Sequence, residues 1–191
     1  VAPYIQQLKV HWEMIKFTKE FQSIADLLKE AMKQRVKELK NWGFAGKGQT
    51  FVSKTQLLQA QRQIQFSISR GSKDARNWVA ISIISQCIKL SYMQELIETQ
   101  GVIPFLNYVN DLMVQARTTK TKSVKNLSVD PNVKGAWIKA KDLQESNIKH
   151  PKLIRLKEIV RDKITKTKDS KIIIFGSYRD TVSEIVEELN Q

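Results

Sequence analysis

The first part of the chain changes from an alternating pattern of apolar and polar residues to a helical one. Apolar and polar side chains alternate over residues 8–15, and this period of two predicts a half-buried strand. From Thr18, a residue type that favours the N-cap, apolar residues recur at helical spacing as far as Trp42. Gly43 follows in the position that glycine favours after a helix. The pattern therefore predicts a strand and then a long first helix.

Four more helices are predicted before residue 145, and each begins at a residue that suits a helix start. The third helix of the chain is apolar on almost every side, so we expect it at the centre of a helical bundle. The four predicted helices run from Ser53 to about residue 69, from Asp74 to Thr99, from Pro104 to about residue 116 and from Asp130 to about residue 144.

The C-terminal part of the chain predicts a different architecture. A sixth helix begins at Pro151, with its apolar side chains expected to point inward, and residues 171–175 form a short apolar run. Such a run is typical of a strand buried on both faces of a parallel sheet. A turn at 176–180 leads to a last helix over 181–190. We expect the two strands to share one small sheet, because an isolated apolar strand would be prone to aggregate.

These patterns place the protein in the mainly α class, as a helical bundle flanked by partial α/β elements. We expect three regions: residues 1–15 with the first strand, residues 16–149 with the helical domain, and residues 150–191 with the second set of α/β elements. The chain begins with Val1 rather than methionine, so we also expect it to be a piece of a longer protein.

Composition adds a strong positive charge to this picture. The 191 residues include 32 lysines and arginines against 19 aspartates and glutamates, for a formal net charge of +13. Such a balance favours a polyanionic partner, nucleic acid first and an anionic membrane surface second. The alternative is that the charge serves solubility alone.

Basic side chains concentrate at the end of the first helix, near the turns between helices, and in residues 117–126. This last segment contains no acidic residue and is predicted to be an exposed, mobile loop. Contacts from these side chains to phosphates would position a duplex without reading its sequence, although a run of charge can also be only a solvated helix face. The candidate nucleic-acid-binding residues are Lys33, Arg35, Lys37, Lys40, Lys47, Arg62, Arg70, Lys73, Arg76, Arg117, Lys120, Lys122 and Lys125.

No catalytic or metal-binding constellation is predicted. The two histidines, His11 and His150, have no metal-ligand partners at suitable spacing, so we expect surface or capping roles for them. Residues 46–50 contain a Gly-Lys-Gly sequence, but their glycines are wrongly spaced for a phosphate-binding loop and no buried strand precedes them. Cys87 stands in an apolar run and is expected to be a core residue in a reducing compartment.

No signal peptide or membrane span is predicted either. The N-terminal residues lack a basic segment followed by an apolar one. No run approaches the ~18 consecutive apolar residues of a membrane span. We therefore expect an intracellular, cytoplasmic protein.

Several short motifs resemble one helicase family. Residues 150–153 and the Phe-x-x-Tyr-Arg-x-Thr stretch at 175–181 are similar to the opening of the second RecA-like domain of superfamily 2 helicases, with 175–181 as motif IV. Residues 3–5 and 95–101 narrow the resemblance to the archaeal Hef helicase/nucleases and their eukaryotic relatives, the Fanconi-anaemia M-type translocases and yeast homologues. The similarity covers nearly the whole chain.

The resemblance implies part of an ATP-dependent DNA helicase or translocase that acts on forked or branched DNA in repair and replication restart. In that family a helical insert interrupts the second RecA-like domain after its first strand, which would make 16–149 the insert. The family's ATP-binding loop, Asp-Glu box and arginine-finger motif lie outside these residues. We therefore expect no cofactor and no ATP hydrolysis in this chain, with ATP and Mg²⁺ held by the rest of the motor in cis.

The resemblance also adds Tyr178 and Arg179 of motif IV as candidate phosphate contacts, since a strand end and a helix start are expected there. Packing of Tyr178 and pairing of Arg179 with a nearby acid is the alternative. Two other functions stay open: a helical protein-interaction scaffold, and the equivalent insert of a helicase that senses double-stranded RNA.

Overall fold

Eight α-helices and one π-helical turn make up the secondary structure of the residues that the computed structural model describes, which are 9–44, 53–167 and 171–190. The prediction of a mainly α fold is therefore confirmed. None of these helices is both long and apolar enough to cross a membrane. In chain order the elements are α1 (Lys19–Asn41), α2 (Lys54–Ser69), α3 (Ala75–Glu95), the π turn (Leu96–Gln100), α4 (Val102–Thr118), α5 (Lys122–Val129), α6 (Pro131–Glu145), α7 (Pro151–Lys166) and α8 (Arg179–Leu189).

Polar side chains fix the starts of several helices. Ser53 and Gln56 form a capping box at the start of α2, in which the Gln56 side-chain oxygen accepts a hydrogen bond from the Ser53 N–H at 2.9 Å. The Asp74 and Asp130 carboxylates cap α3 and α6, and the His150 imidazole caps α7. Each cap satisfies a backbone N–H group that has no partner inside its helix. The helix starts predicted at these places are therefore confirmed.

The hydrophobic core lies between α1 and the helices packed against it. α1 contacts both α3 and α6, α2 covers α3, and α4 and α5 close the remaining side. Phe21, Leu28, Ile84, Leu90 and Phe105 are among the fully buried side chains. Because α3 contacts α1, α2, α4 and α5, its expected position at the centre of the bundle is confirmed.

The two predicted strands are not found in the described residues. Residues 9–18 and 171–176 have no regular secondary structure, and Trp12 and Phe175 are 89% and 90% exposed. A strand forms only when its backbone groups pair with a neighbouring strand, and neither segment has such a neighbour among the described residues. The prediction of two strands, and of one small sheet joining them, is therefore wrong for this part of the chain. Residues 1–8, which include the start of the first predicted strand, lie outside the described ranges.

The basic segment 117–126 was predicted to be a mobile loop, and this prediction is wrong. α4 and α5 occupy most of it. Val124 and Leu127 are buried, and α5 packs against α3 and α4. Residues three apart share a helix face, so these two apolar side chains hold α5 on the bundle while its lysines face outward.

The apolar face of α7 is less covered than predicted. Leu153 is buried, but Ile154 and Ile164 are 50% and 52% exposed. The helix packs mainly against α8 rather than against the bundle core. The prediction that all its apolar side chains point inward is therefore wrong, because the described residues supply only one helix to cover them.

Candidate nucleic-acid interface

A groove of about 840 Å³ opens at one end of the bundle. Its walls come from the last turns of α1, the first half of α3, and the connection between α4 and α5. Trp78, Ser82, Lys120 and Lys122 line it, together with Glu38 from α1. We call it the Trp78 groove. The groove brings together Lys120 and Lys122, both predicted as phosphate contacts, and Trp78, whose helix was predicted to be apolar on almost every side.

The lysines of the groove present their charge to solvent. Lys120, Lys122 and Lys125 are exposed, as is Arg117 in the last turn of α4. The ion pairs formed between described residues involve none of these four side chains. Their charge is therefore available to an anionic ligand.

The turn between α2 and α3 adds further basic side chains at the same end. Lys73 is exposed just before α3. The Arg70 guanidinium carbon lies 4.3 Å from the Phe66 ring centroid, at cation–π distance. The Arg76 side chain donates three hydrogen bonds to the Asp74 carboxylate, at 2.7, 2.9 and 3.0 Å, and these bonds hold the pKa of Asp74 below its ordinary value. Arg70 and Arg76 are thus each oriented by a residue of the same turn or of the helix before it.

The other candidates on the bundle are more scattered. Lys33 and Lys37 are exposed on α1, where Lys33 pairs with an acid of its own helix at 3.6 Å, and Lys40 is half-buried. Arg62 is exposed on α2. Lys47 lies outside the described residues.

Arg35 is placed in the interior rather than on the surface. Its guanidinium lies 2.5 Å from the Asp130 carboxylate, and the two side chains are only 12% and 3% exposed. Arg35 Nε also donates to the Gln86 side-chain oxygen at 3.2 Å. One arginine therefore links α1, α3 and the start of α6. We remove Arg35 from the proposed phosphate contacts, because breaking a buried pair to reach a ligand would strand the carboxylate.

The apolar pattern of the third predicted helix did not indicate that Trp78 is exposed. Its side chain is 62% exposed, although α3 is apolar on almost every side. A signal was present: Ser82 and Ser85, at positions 4 and 7 after the tryptophan, show that its helix face is polar. The high apolar content of the whole helix hid this face.

The segment 175–181 and the start of α7 are joined to the bundle through the π turn. Thr181 Oγ1 donates to Gln100 Oε1 at 2.5 Å, and Lys152 Nζ donates to the Glu98 carbonyl at 2.9 Å. The turn ends at Gly101 with φ +95° and ψ −163°, a conformation essentially restricted to glycine. Residues 95–101, which carry part of the resemblance, therefore contact α7 and α8 and hold these two helices against the bundle.

The two motif IV candidates lie at the start of α8. Tyr178 is half-buried at the N-cap, and Arg179 is exposed as the first helical residue. Neither residue lines the Trp78 groove. The candidates therefore lie in several places: in the Trp78 groove, along α1 and α2, and at the start of α8.

His150 is a buried capping residue. Its Nδ1 accepts a hydrogen bond from the Lys152 N–H at 3.2 Å, so the proton of the neutral ring is on Nε2. The ring packs edge-on against Phe17 and Phe21, with centroids 6.0 and 5.0 Å away. Burial, with a smaller contribution from the Lys152 charge, lowers the pKa of His150 from its ordinary 6.5 to about 4. The capping role expected from the sequence is confirmed.

This depressed pKa makes stability depend on acid. Between pH 6.5 and pH 4 the unfolded chain binds a proton at His150, whereas the folded chain does not. The contribution of neutral His150 to the free energy of unfolding is therefore complete above pH 6.5 and is lost as the pH falls towards 4. We expect His150 to contribute about 2–3 kcal/mol to the fall in unfolding free energy between about pH 7 and pH 4.5. Urea unfolding of wild type and His150→Asn, which keeps a capping side chain, at both pH values measures this difference. His11→Asn, on the exposed N-terminal segment, is the control, and an equal acid loss in wild type and His150→Asn would contradict the prediction.

Comparison with known proteins gives consistent matches. Residues 20–147, about two thirds of the chain, match the family described as "Putative ATP-dependent RNA helicase, helical bundle". The whole chain is 37% identical to a protein of Methanocaldococcus jannaschii named as a "Putative ATP-dependent RNA helicase", and it spans 23% of that protein's length. It is also similar to the crystal structure of the Pyrococcus furiosus Hef helicase domain, with a TM-score of 0.83 and 28% identity, over 99% of this chain and 39% of that one.

Proposed function

The chain belongs to the family described as "Putative ATP-dependent RNA helicase, helical bundle". On that premise we propose that its bundle binds the phosphate backbone of duplex or forked nucleic acid for an ATP-driven motor. In this proposal the bundle is the insert, 16–149, and residues 1–15 and 150–191 are parts of the second RecA-like domain. The fragment itself positions the substrate, and the rest of the motor supplies the chemistry.

The observation that carries the proposal is the gathering of basic side chains at one end of the bundle. The start of α3, which directly follows the α2–α3 turn, and the α4–α5 connection are far apart in sequence, yet both line the Trp78 groove. Lys120 and Lys122 are exposed in the groove, and Lys73 is exposed two residues before Ala75, which lines it. A clustered basic patch on one side of a domain is the electrostatic footprint expected for nucleic acid.

Exposed apolar residues support the link to a motor in cis. Trp12 and Met14 near the N-terminus and Phe175 near the C-terminus are each at least 89% exposed. Large apolar side chains on such segments are usually covered by another surface, and strands of a RecA-like sheet would cover them.

We propose no binding site for ATP or Mg²⁺ in this chain. Within residues 9–44, 53–167 and 171–190, no three histidine, cysteine or carboxylate side chains are grouped so as to hold a metal ion. We assign the binding and hydrolysis of ATP to motor elements beyond these residues, as the resemblance to superfamily 2 helicases implies.

Our first choice of substrate is forked or branched DNA, because the sequence motifs resemble the Hef group and the fold is similar to the Hef helicase domain over nearly the whole chain. Double-stranded RNA is the second candidate, because the description of the matching family names RNA helicases. A protein-interaction scaffold is the third, and it predicts no salt-dependent binding of either nucleic acid.

A salt titration tests the proposal. Binding of a fluorescent DNA fork, and of an RNA duplex of equal length, is followed by anisotropy. If about four phosphates are engaged, the slope of log K against log salt is near −3.6 for DNA. The triple change of Lys73, Lys120 and Lys122 to glutamate should flatten that slope by about 2.7, because each lost phosphate contact removes about 0.9.

The control variant carries the same change of charge elsewhere. Lys16, Lys19 and Lys139 are exposed, and Lys139 lies beside Glu20 at the opposite end of the bundle. Changing these three to glutamate should leave the slope much closer to that of wild type. Equal effects of the two triple changes would show a diffuse field rather than a binding surface, and no binding at low salt would favour the scaffold.

A further inference from the structure

We propose that the Trp78 groove is a binding site for an unpaired nucleotide, in which the base stacks on the Trp78 indole and the flanking phosphates contact Lys120 and Lys122. This inference rests on the proposed function and extends it, because a grip on duplex backbone needs no aromatic platform. In this second mode of binding, the same basic end of the bundle would bind single strands.

The first support is the exposure of Trp78 within a groove. A tryptophan that is 62% exposed leaves much of a large apolar ring in water. In a single-stranded nucleic-acid site, that ring is the usual platform, since every base has a π face that stacks on it. The groove, at about 840 Å³, lies within the size range of sites for small ligands, about 300–1,000 Å³.

The second support is charge complementarity around the ring. Lys120 and Lys122 line the same groove and form no ion pair with a described residue. An aromatic surface with two free cations beside it matches a nucleotide, which has an apolar base and an anionic phosphate. Glu38 also lines the groove but forms no ion pair with either lysine, so the groove keeps a net positive charge that a purely apolar protein segment would leave unpaired.

The third support is the polar lining of the groove. Ser82 and Ser85 on α3 and Asn126 on α5 face the same space. Hydroxyl and amide groups can hydrogen-bond the edges of an extruded base, whichever base it is. The site therefore fits any single strand, with stacking as the main interaction and little sequence preference.

The test separates stacking from charge by means of two matched probes. One is a labelled oligothymidylate, and the other is an abasic oligomer of the same length with the same number of phosphates. We expect the full chain to bind oligothymidylate more tightly than the abasic oligomer. Trp78→Ala should abolish that difference, with about a tenfold loss of affinity for oligothymidylate, and Trp78→Phe should retain part of it.

Two further variants control the result. Trp12→Ala removes a tryptophan that is 89% exposed on a segment remote in sequence, and it should leave the preference for bases intact. Changing Lys120 and Lys122 to glutamine should weaken both probes equally. Equal binding of the two probes by wild type, or equal losses from Trp78→Ala and Trp12→Ala, would overturn the inference while fork binding still upholds the proposed function. Loss of binding to forks and to both oligomers alike would overturn both.

Discussion

Replacing Arg35 by alanine is expected to lower the free energy of unfolding by about 3–5 kcal/mol. The Arg35 and Asp130 side chains are 12% and 3% exposed, so removal of the guanidinium leaves a carboxylate buried without its counter-charge. Asp130 cannot turn to solvent without further loss, because its Oδ1 also caps α6 by accepting from the N–H groups of Asn132 and Val133 at 2.8 and 3.0 Å. Urea unfolding followed by circular dichroism measures the change.

The control is Lys37→Ala, two residues further along the same helix. Lys37 is exposed, and exposed substitutions usually change stability by no more than ~0.5 kcal/mol. A double-mutant cycle of Arg35→Met with Asp130→Asn isolates the pair itself, since the asparagine keeps a capping oxygen. A coupling energy near zero, or equal losses from Arg35→Ala and Lys37→Ala, would contradict a structural role for Arg35.

The second large effect is expected from Phe21→Ala, which should lower the free energy of unfolding by about 3–5 kcal/mol. Phe21 is 1% exposed, stacks on Phe17 at 6.3 Å, and meets the His150 ring edge-on at 5.0 Å. The cavity would lie between α1 and the cap of α7, where the bundle joins the C-terminal helices. Water entering it would hydrate His150 and raise its pKa towards the ordinary value, so the acid-dependent part of the stability loss should shrink as well.

The measurement is urea unfolding of wild type and Phe21→Ala at about pH 7 and pH 4.5. Phe175→Ala is the matched control, because that ring is 90% exposed and its removal leaves no cavity. The expected pattern is a large loss at neutral pH together with a smaller further loss in acid than wild type shows. A large loss at neutral pH with an unchanged acid dependence would mean that Phe21 does not shield His150.

Much of the local structure could be predicted from the sequence. Capping residues and prolines fixed where α2, α3, α6 and α7 begin, since a helix start needs partners for backbone N–H groups that only nearby side chains can supply. The period of apolar residues identified the buried face of α1, and the apolar content of α3 indicated its central position. Net charge indicated an anionic partner. All of these signals act over a few residues, so they can be seen in a single segment.

The candidate site was less accessible to such reasoning. Lys33, Arg35 and Lys37 are clustered in the sequence near the end of the first helix, but the structure buries Arg35 against Asp130 and leaves Lys37 in solvent. Trp78 looks like a core residue in the sequence, yet it lines an open groove.

By itself, the sequence determined a basic, mainly helical chain with defined helix starts and motifs that resemble a helicase. Only the tertiary structure decided which cations are free, that α5 is a helix rather than a loop, and that the predicted strands 8–15 and 171–175 have no partner among the described residues. The physical reason is that periodicity and capping are local, whereas an ion pair, a groove or a sheet is made by segments distant along the chain. Gln100 and Thr181, 81 positions apart, meet at a single hydrogen bond, and no pattern in either segment specifies the other.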